Sequence, residues 1–200
     1  MPGWSLAGMA SALKRRLYFE LARWSKAFGQ HDTSLKYYEL ALVEQPDDPK
    51  AIAGIGFELA QSGRKREALA QFERAVELDP GWAEAHFDRG FLLQELNDHD
   101  AAIAAFKTAA ALNPDHDRAL YGLALSLISL KRLDDAVPPL ERNTRLQPMS
   151  PYGWYQLGRV QFNRGKPDKA QAIIDHIAKF ERKVALQLAR ETGLRPPPVL

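Results

Sequence analysis

The sequence predicts an all-α fold, an α-solenoid of antiparallel helix pairs, from three observations. Pro46, Pro80, Pro114 and Pro148 stand 34 residues apart, and a fixed period of that length marks a repeat array rather than one closed core. Small and apolar residues hold fixed places before these prolines: Ala75, Phe72 and Ala68 lie five, eight and twelve residues before Pro80, and Ala109, Phe106 and Ala102 repeat those offsets before Pro114. Each unit also holds two apolar runs at helical spacing, separated by a short polar turn.

Taken in order, residues 4–28 form a basic, acid-poor segment with Leu13, Leu17, Leu21, Trp24 and Phe28 on one helical face. It reads as the first helix of the first repeat, extended toward the N-terminus; the rival reading is a targeting or membrane-surface helix. Its partner helix carries Ser34, Tyr38 and Ala41 ahead of Pro46. In the second unit Ile52, Ile55, Gly56 and Leu59 make the first apolar face, and in the third His86 and Arg89 replace two apolar positions while Gly90 and Leu93 keep the rest. The fourth unit has Leu120, Leu123, Ala124 and Leu127, then Ala136, Leu140 and Asn143. Its Pro138 and Pro139 remove backbone donors one turn inside a helix capped by Asp134, which predicts a late start or a kink at 137–139.

The fifth unit has Trp154, Leu157 and Gly158, then Ala170, Ile174 and Ile177, with Arg182 where a proline stop would fall. Its last helix is therefore expected to run on through Leu186 and Leu188 to Glu191, with Lys179, Arg182, Lys183 and Arg190 on its wet side. Such a helix would cap the open end of an array. The tail from Arg195 to Leu200, with three consecutive prolines, is read as a frayed, extended end. The turns begin at Gly29, Gly63, Asn97, Lys131 and Gly165. Glycine or asparagine there permits a left-handed helix ending, and an aspartate after it can cap the next helix.

These residues resemble the tetratricopeptide repeat family, with units at about 15–48, 49–82, 83–116, 117–150 and 151–184. Residues 1–14 extend the first helix, the array with its helical cap runs over 15–192, and 193–200 form the Pro-rich tail. The resemblance implies a right-handed superhelix whose concave face is lined by the first helix of each pair. On that face it leaves Phe19, Arg23, Lys50, Phe57, Phe87, Phe91, Arg118, Tyr121, Tyr155 and Arg159 as the expected partner-binding groove. Aromatic residues at such positions suit an amphipathic or apolar segment of another protein. The implied function is a non-catalytic interaction scaffold or adaptor. The alternative is a structural protein that forms homo-oligomers through its basic ends.

The family's clamp for a chaperone's C-terminal carboxylate does not fit. Its five positions project onto Phe19, Arg23, Gly54, Glu84 and Asp88, where the last two would repel a carboxylate. Composition excludes more. The chain has no cysteine, and its net charge of +2 is too small to point to nucleic acid. His99 and His116 sit between aspartates but in a turn and a loop, so no metal site is expected. Neither a phosphate loop nor a nucleophile with its base is present, so no cofactor and no enzyme activity are expected. Lacking an apolar run long enough to span a bilayer and a charged-then-apolar leader, the protein is expected to be cytoplasmic.

Overall fold

A computed structural model gives the structure of residues 6–197, with side chains from Gly8 onward. Residues 1–5 of the basic leading segment and Pro198, Val199 and Leu200 of the tail fall outside the described residues. Among the described residues there are eleven helices and no strand. They are α1 (Leu6–Ala27), α2 (His31–Glu44), α3 (Pro49–Gln61), α4 (Lys65–Leu78), α5 (Ala83–Glu95), α6 (His99–Leu112), α7 (Asp117–Ser129), α8 (Leu133–Leu146), α9 (Pro151–Asn163), α10 (Pro167–Ile177) and α11 (Arg182–Thr192). The chain falls into two compact units, Met1–Leu96 and Asn97–Leu200. In the first, each of α1 to α5 packs on its neighbour in sequence. In the second, α6 to α11 do the same, and α11 also returns onto α9.

The turns after α1, α3, α5, α7 and α9 each contain one left-handed residue: Gly29, Gly63, Asn97, Lys131 and Gly165 have φ between 60° and 78°. Lys131 does this without glycine's freedom or asparagine's local bonding. Asp98 caps α6 by accepting from the Ala101 N–H at 3.2 Å. The other turn aspartates, Asp32, Asp100, Asp134 and Asp168, lie inside the first turn of their helices instead of capping them, and Arg132 holds the cap position of α8. There they still complement the positive end of the helix dipole. Between pairs, Asp48 caps α3 by accepting from Lys50 N–H at 2.9 Å, and His116 Nδ1 caps α7 by accepting from Ala119 N–H at 3.3 Å.

The periodic small and apolar residues form the core. Ala68, Phe72 and Ala75 in α4, Ala102, Phe106 and Ala109 in α6, and Ala170, Ile174 and Ile177 in α10 are all buried. So are Ser34, Tyr38 and Ala41 in α2 and Ala136, Leu140 and Asn143 in α8. His86 and Trp154, which stand at the same place in their repeats, each donate a ring N–H to the carbonyl of the proline closing the preceding repeat. His86 Nε2 meets the Pro80 oxygen at 3.0 Å, and Trp154 Nε1 meets the Pro148 oxygen at 3.0 Å. Of the two polar replacements in the third unit, His86 is thus satisfied by backbone, whereas the Arg89 Nε is buried without a hydrogen-bond partner among the described residues.

Three local expectations are corrected. α8 does not start late: it begins at Leu133 and stays helical through Pro138 and Pro139; burial of Ala136, Pro139 and Leu140 offsets the missing backbone bonds, and Asp134 and Asp135 are held by Arg164 and Arg132 at 2.6 and 2.8 Å. α10 stops at Ile177, and a separate α11 begins at Arg182. A straight continuation would carry Leu188 away from the core; the break lets it lie fully buried over Gly158 of α9. The tail does not fray at its start. The Arg195 carbonyl accepts from Gln171 at 3.1 Å, Arg195 pairs with Asp175 at 3.5 Å, and Pro197 is buried.

Candidate partner-binding faces

In the first unit the expected groove residues come from α1, α3 and α5. Phe19 is half-buried, its ring edge-on to Tyr38 at 5.7 Å. Tyr38 is itself buried, and burial, with Glu58 second, raises its phenol pKa. Arg23 is exposed and pairs with Glu20 at 3.2 Å. Lys26 places its Nζ 3.2 Å above the ring of Phe57, a cation–π contact that leaves Phe57 half-buried.

An open cleft of 620 Å³ runs between α1 and the start of α3, lined by Leu13, Arg16 and Phe19 on one side and by Asp48 and Lys50 on the other. Its floor is fixed by Arg15, which donates to Asp48 at 2.6 Å and to Gln45 at 2.7 Å. Asp48 is buried and satisfied by that contact and by the α3 backbone, so Arg16 and Lys50 give the mouth of the cleft its positive charge. On α5, Phe87 is buried, and only its neighbour Phe91, with ring centroids 6.3 Å apart, stands out at 48% exposure. Packing therefore takes up most of Phe87.

In the second unit Arg118 is exposed and Tyr121 is half-buried on α7. Burial raises the Tyr121 phenol pKa, and a hydrogen bond with Gln156 of α9 works against that rise. Tyr155 donates its O–H to the Glu191 carboxylate at 2.6 Å. Gln187 donates to the Tyr155 oxygen at 3.3 Å and to Glu191 at 2.9 Å. Arg159 lies 5.7 Å from the Tyr155 ring and 3.8 Å from Glu191. Glu191 and Gln187 belong to α11, and sequence reasoning missed them because the chain must break after Ile177 to bring them back to α9.

Sequence reasoning also missed how the array joins. Gly54 receives the ring of Tyr38 from the preceding repeat, and Gly122 receives the ring of Phe106. In both cases the glycine comes 16 residues after the aromatic ring, a spacing that could have been found. Gly54 was one of the projected clamp positions, and the Tyr38 ring covers it. His31 takes a structural role: its Nδ1 meets the buried Glu58 carboxylate at 2.7 Å, and Ser34 Oγ donates to the same carboxylate at 2.9 Å. Among the described residues no group of three or more His, Cys, Asp or Glu is placed to hold a metal, and no helix is long and apolar enough to cross a membrane.

Helix hairpins built on a 34-residue period define a helical-repeat protein, and comparison with known proteins gives the family. Tetratricopeptide repeat profiles match residues 56–92, 88–148 and 151–176. The chain belongs to the tetratricopeptide repeat family. A 66-residue stretch is 35% identical to the TPR repeat-containing protein YpiA of Bacillus subtilis, covering 33% of this chain and only 15% of that relative's length. Among solved structures, PilF of Pseudomonas aeruginosa is similar with a TM-score of 0.79 at 18% identity, over 92% of this chain and 86% of that one. MamA of Desulfovibrio magneticus RS-1 aligns with a TM-score of 0.76 at 20% identity, over 85% and 96%. YrrB, described as a TPR protein with an unusual peptide-binding site, aligns with a TM-score of 0.73 at 20% identity, over 86% and 90%. At these identities the likeness establishes the shared fold.

Proposed function

We propose that this protein is a non-catalytic interaction scaffold that holds a segment of another protein against the first helices of its repeats. The observation that carries the reading is Phe91. A large aromatic side chain on α5, 48% exposed while its neighbour Phe87 is buried, has no role in closing the repeat. In the same unit Phe57 under Lys26 and the cation Lys50 supply further contacts of the same kind; in the other unit Tyr121 beside Gln156, with Arg118 and Arg159, makes a face of like composition. Aromatic anchors among cations suit an amphipathic segment with apolar residues on one side and carboxylates beside them. The peptide-binding site named for YrrB supports the reading by likeness of fold.

The test is capture of partners from a native extract by the wild type and by a Phe57→Ala, Phe91→Ala, Tyr121→Ala triple variant shown by circular dichroism to be folded. Loss of the same partner from the variant supports the scaffold. Equal recovery of every partner by both proteins contradicts it.

A further inference from the structure

The first helix has two faces, and the repeats use only one. Ala22 and Ser25 of α1 are buried, with Tyr18 and Phe19 packed beside them against the Tyr38 and Ala41 side of α2. The opposite face is largely apolar and open: Met9, Leu13, Leu17 and Trp24 fall within about 80° of the helix circumference, and all four are exposed; Glu20 lies in the same arc, its carboxylate paired with Arg23 at 3.2 Å. Trp24 is 63% exposed and Phe28, immediately past the helix, is 72% exposed, and their rings stack on each other at 6.2 Å. Exposed apolar residues grouped in this way on a folded chain, interrupted only by an ion-paired carboxylate, mark a contact site.

Charge identifies the occupant. The segment carries Lys14, Arg15, Arg16, Arg23 and Lys26 against Glu20 alone. Lys14 flanks one edge of the apolar stripe, with only a 3.8 Å contact to Glu44, and Arg16 and Arg23 flank the other, Arg23 beside Glu20. Arg15 is turned inward to Asp48. A second copy docking the same face would bring these cations against themselves. An apolar stripe with tryptophan and phenylalanine, bordered by Lys and Arg, matches a helix lying in the boundary of an anionic bilayer, rings at headgroup depth and cations on the phosphates.

We infer that the outer face of α1 is a docking surface for an anionic lipid membrane, holding the repeats at its surface without spanning it. The contact lies on the side of α1 away from α2; it shares Leu13 and Arg16 with the cleft toward α3 but does not use Phe57, Phe91 or Tyr121.

The experiment is co-sedimentation of the full chain with vesicles of phosphatidylcholine alone or mixed with phosphatidylglycerol. Wild type is expected to sediment with the mixed vesicles and to be released by salt. Trp24→Gln with Phe28→Gln should weaken binding about tenfold or more, and Lys14→Glu with Arg16→Glu should weaken it at least about fivefold per charge. Val43→Gln, at an equally exposed valine on α2, should leave binding unchanged; every variant alters a surface position, and circular dichroism verifies its fold. Failure of wild type to bind mixed vesicles, or unchanged binding by the Trp24 and Phe28 variant, overturns the inference. So does light scattering that shows wild-type self-association abolished by that variant, which assigns the face to a second copy.

Discussion

Gly122 lies directly beneath the ring of Phe106, so that a β-carbon on it would stand 2.6 Å from the ring's Cζ. Phe106 is fully buried and its ring cannot retreat without disturbing the core. Alanine in mid-helix normally gains about 1 kcal/mol over glycine. Here overpacking of about 1–3 kcal/mol acts against that gain. Gly122→Ala is therefore expected to lower the melting temperature, and Gly122→Val to lower it further. An alanine variant that melts higher than wild type would show that the ring moves aside freely.

The aromatic side of this joint has the larger effect. Phe72 and Phe106 are buried in different units, and truncating either to alanine empties a place that neighbouring helices cannot fill. The expected loss is about 3–5 kcal/mol for each, read from denaturant unfolding. In a repeat protein, loss at one joint can also split a single transition into steps. A change in both variants far below this range would place the rings outside the core.

Lys131 adopts a left-handed backbone with φ of 60°, where three of the other four equivalent turns use glycine. A side chain with a β-carbon is disfavoured there by about 1–2 kcal/mol, partly offset because glycine has more freedom to lose on folding. Lys131→Gly should stabilise the protein by about 0.5–1 kcal/mol in thermal or denaturant unfolding, whereas Gly63→Ala should destabilise it by a comparable amount. Loss of stability in Lys131→Gly would contradict the turn geometry.

The Tyr155–Glu191 bond makes the tie between α9 and α11 depend on pH. The Tyr155 hydroxyl first, and Gln187 second, hold the Glu191 carboxyl below its ordinary pKa. A lowered folded-state value adds stability above the unfolded value of about 4.3 and loses it as pH falls through the folded value. Burial, with Glu191 second, raises the Tyr155 pKa, so the phenol's contribution is present below about pH 10 and is lost as pH rises through the folded value. Glu191 is exposed and Tyr155 half-buried at the surface, and the effect is small. Following Tyr155 and Glu191 by NMR should show each shift shrink, without vanishing, in Glu191→Gln and Tyr155→Phe respectively, because burial still acts on Tyr155 and Gln187 still acts on Glu191; unaltered titration would mean the bond is absent in solution.

The architecture was legible because proline spacing and the Ala–Phe–Ala offsets survive side-chain drift: positions as loose as Ser34, Asn143 and Ile177 still land in the core. The left-handed turns were legible at Gly29, Gly63, Asn97 and Gly165, while Lys131 reaches the same conformation through its place in the hairpin. Local rules failed where tertiary packing overruled them, at Pro138 and Pro139 inside α8 and at the break after Ile177, which puts Leu188 over Gly158. For the candidate faces, sequence placed aromatic residues on first helices but could not apportion their surface. Phe87 goes to the core and Phe91 to solvent, although the two lie one helical turn apart.

The central claim is that aromatic residues of the first helices, outside the repeat packing, hold a partner segment. Its most direct measurement is titration calorimetry of a captured partner's binding segment into wild type and Phe91→Ala, with circular dichroism on both. An anchor of this kind contributes about 2 kcal/mol, so the variant should bind about thirtyfold more weakly while its helicity and melting stay those of wild type. Unchanged affinity in a folded Phe91→Ala variant, and again when Phe57→Ala is added, would contradict the account and move recognition to another surface.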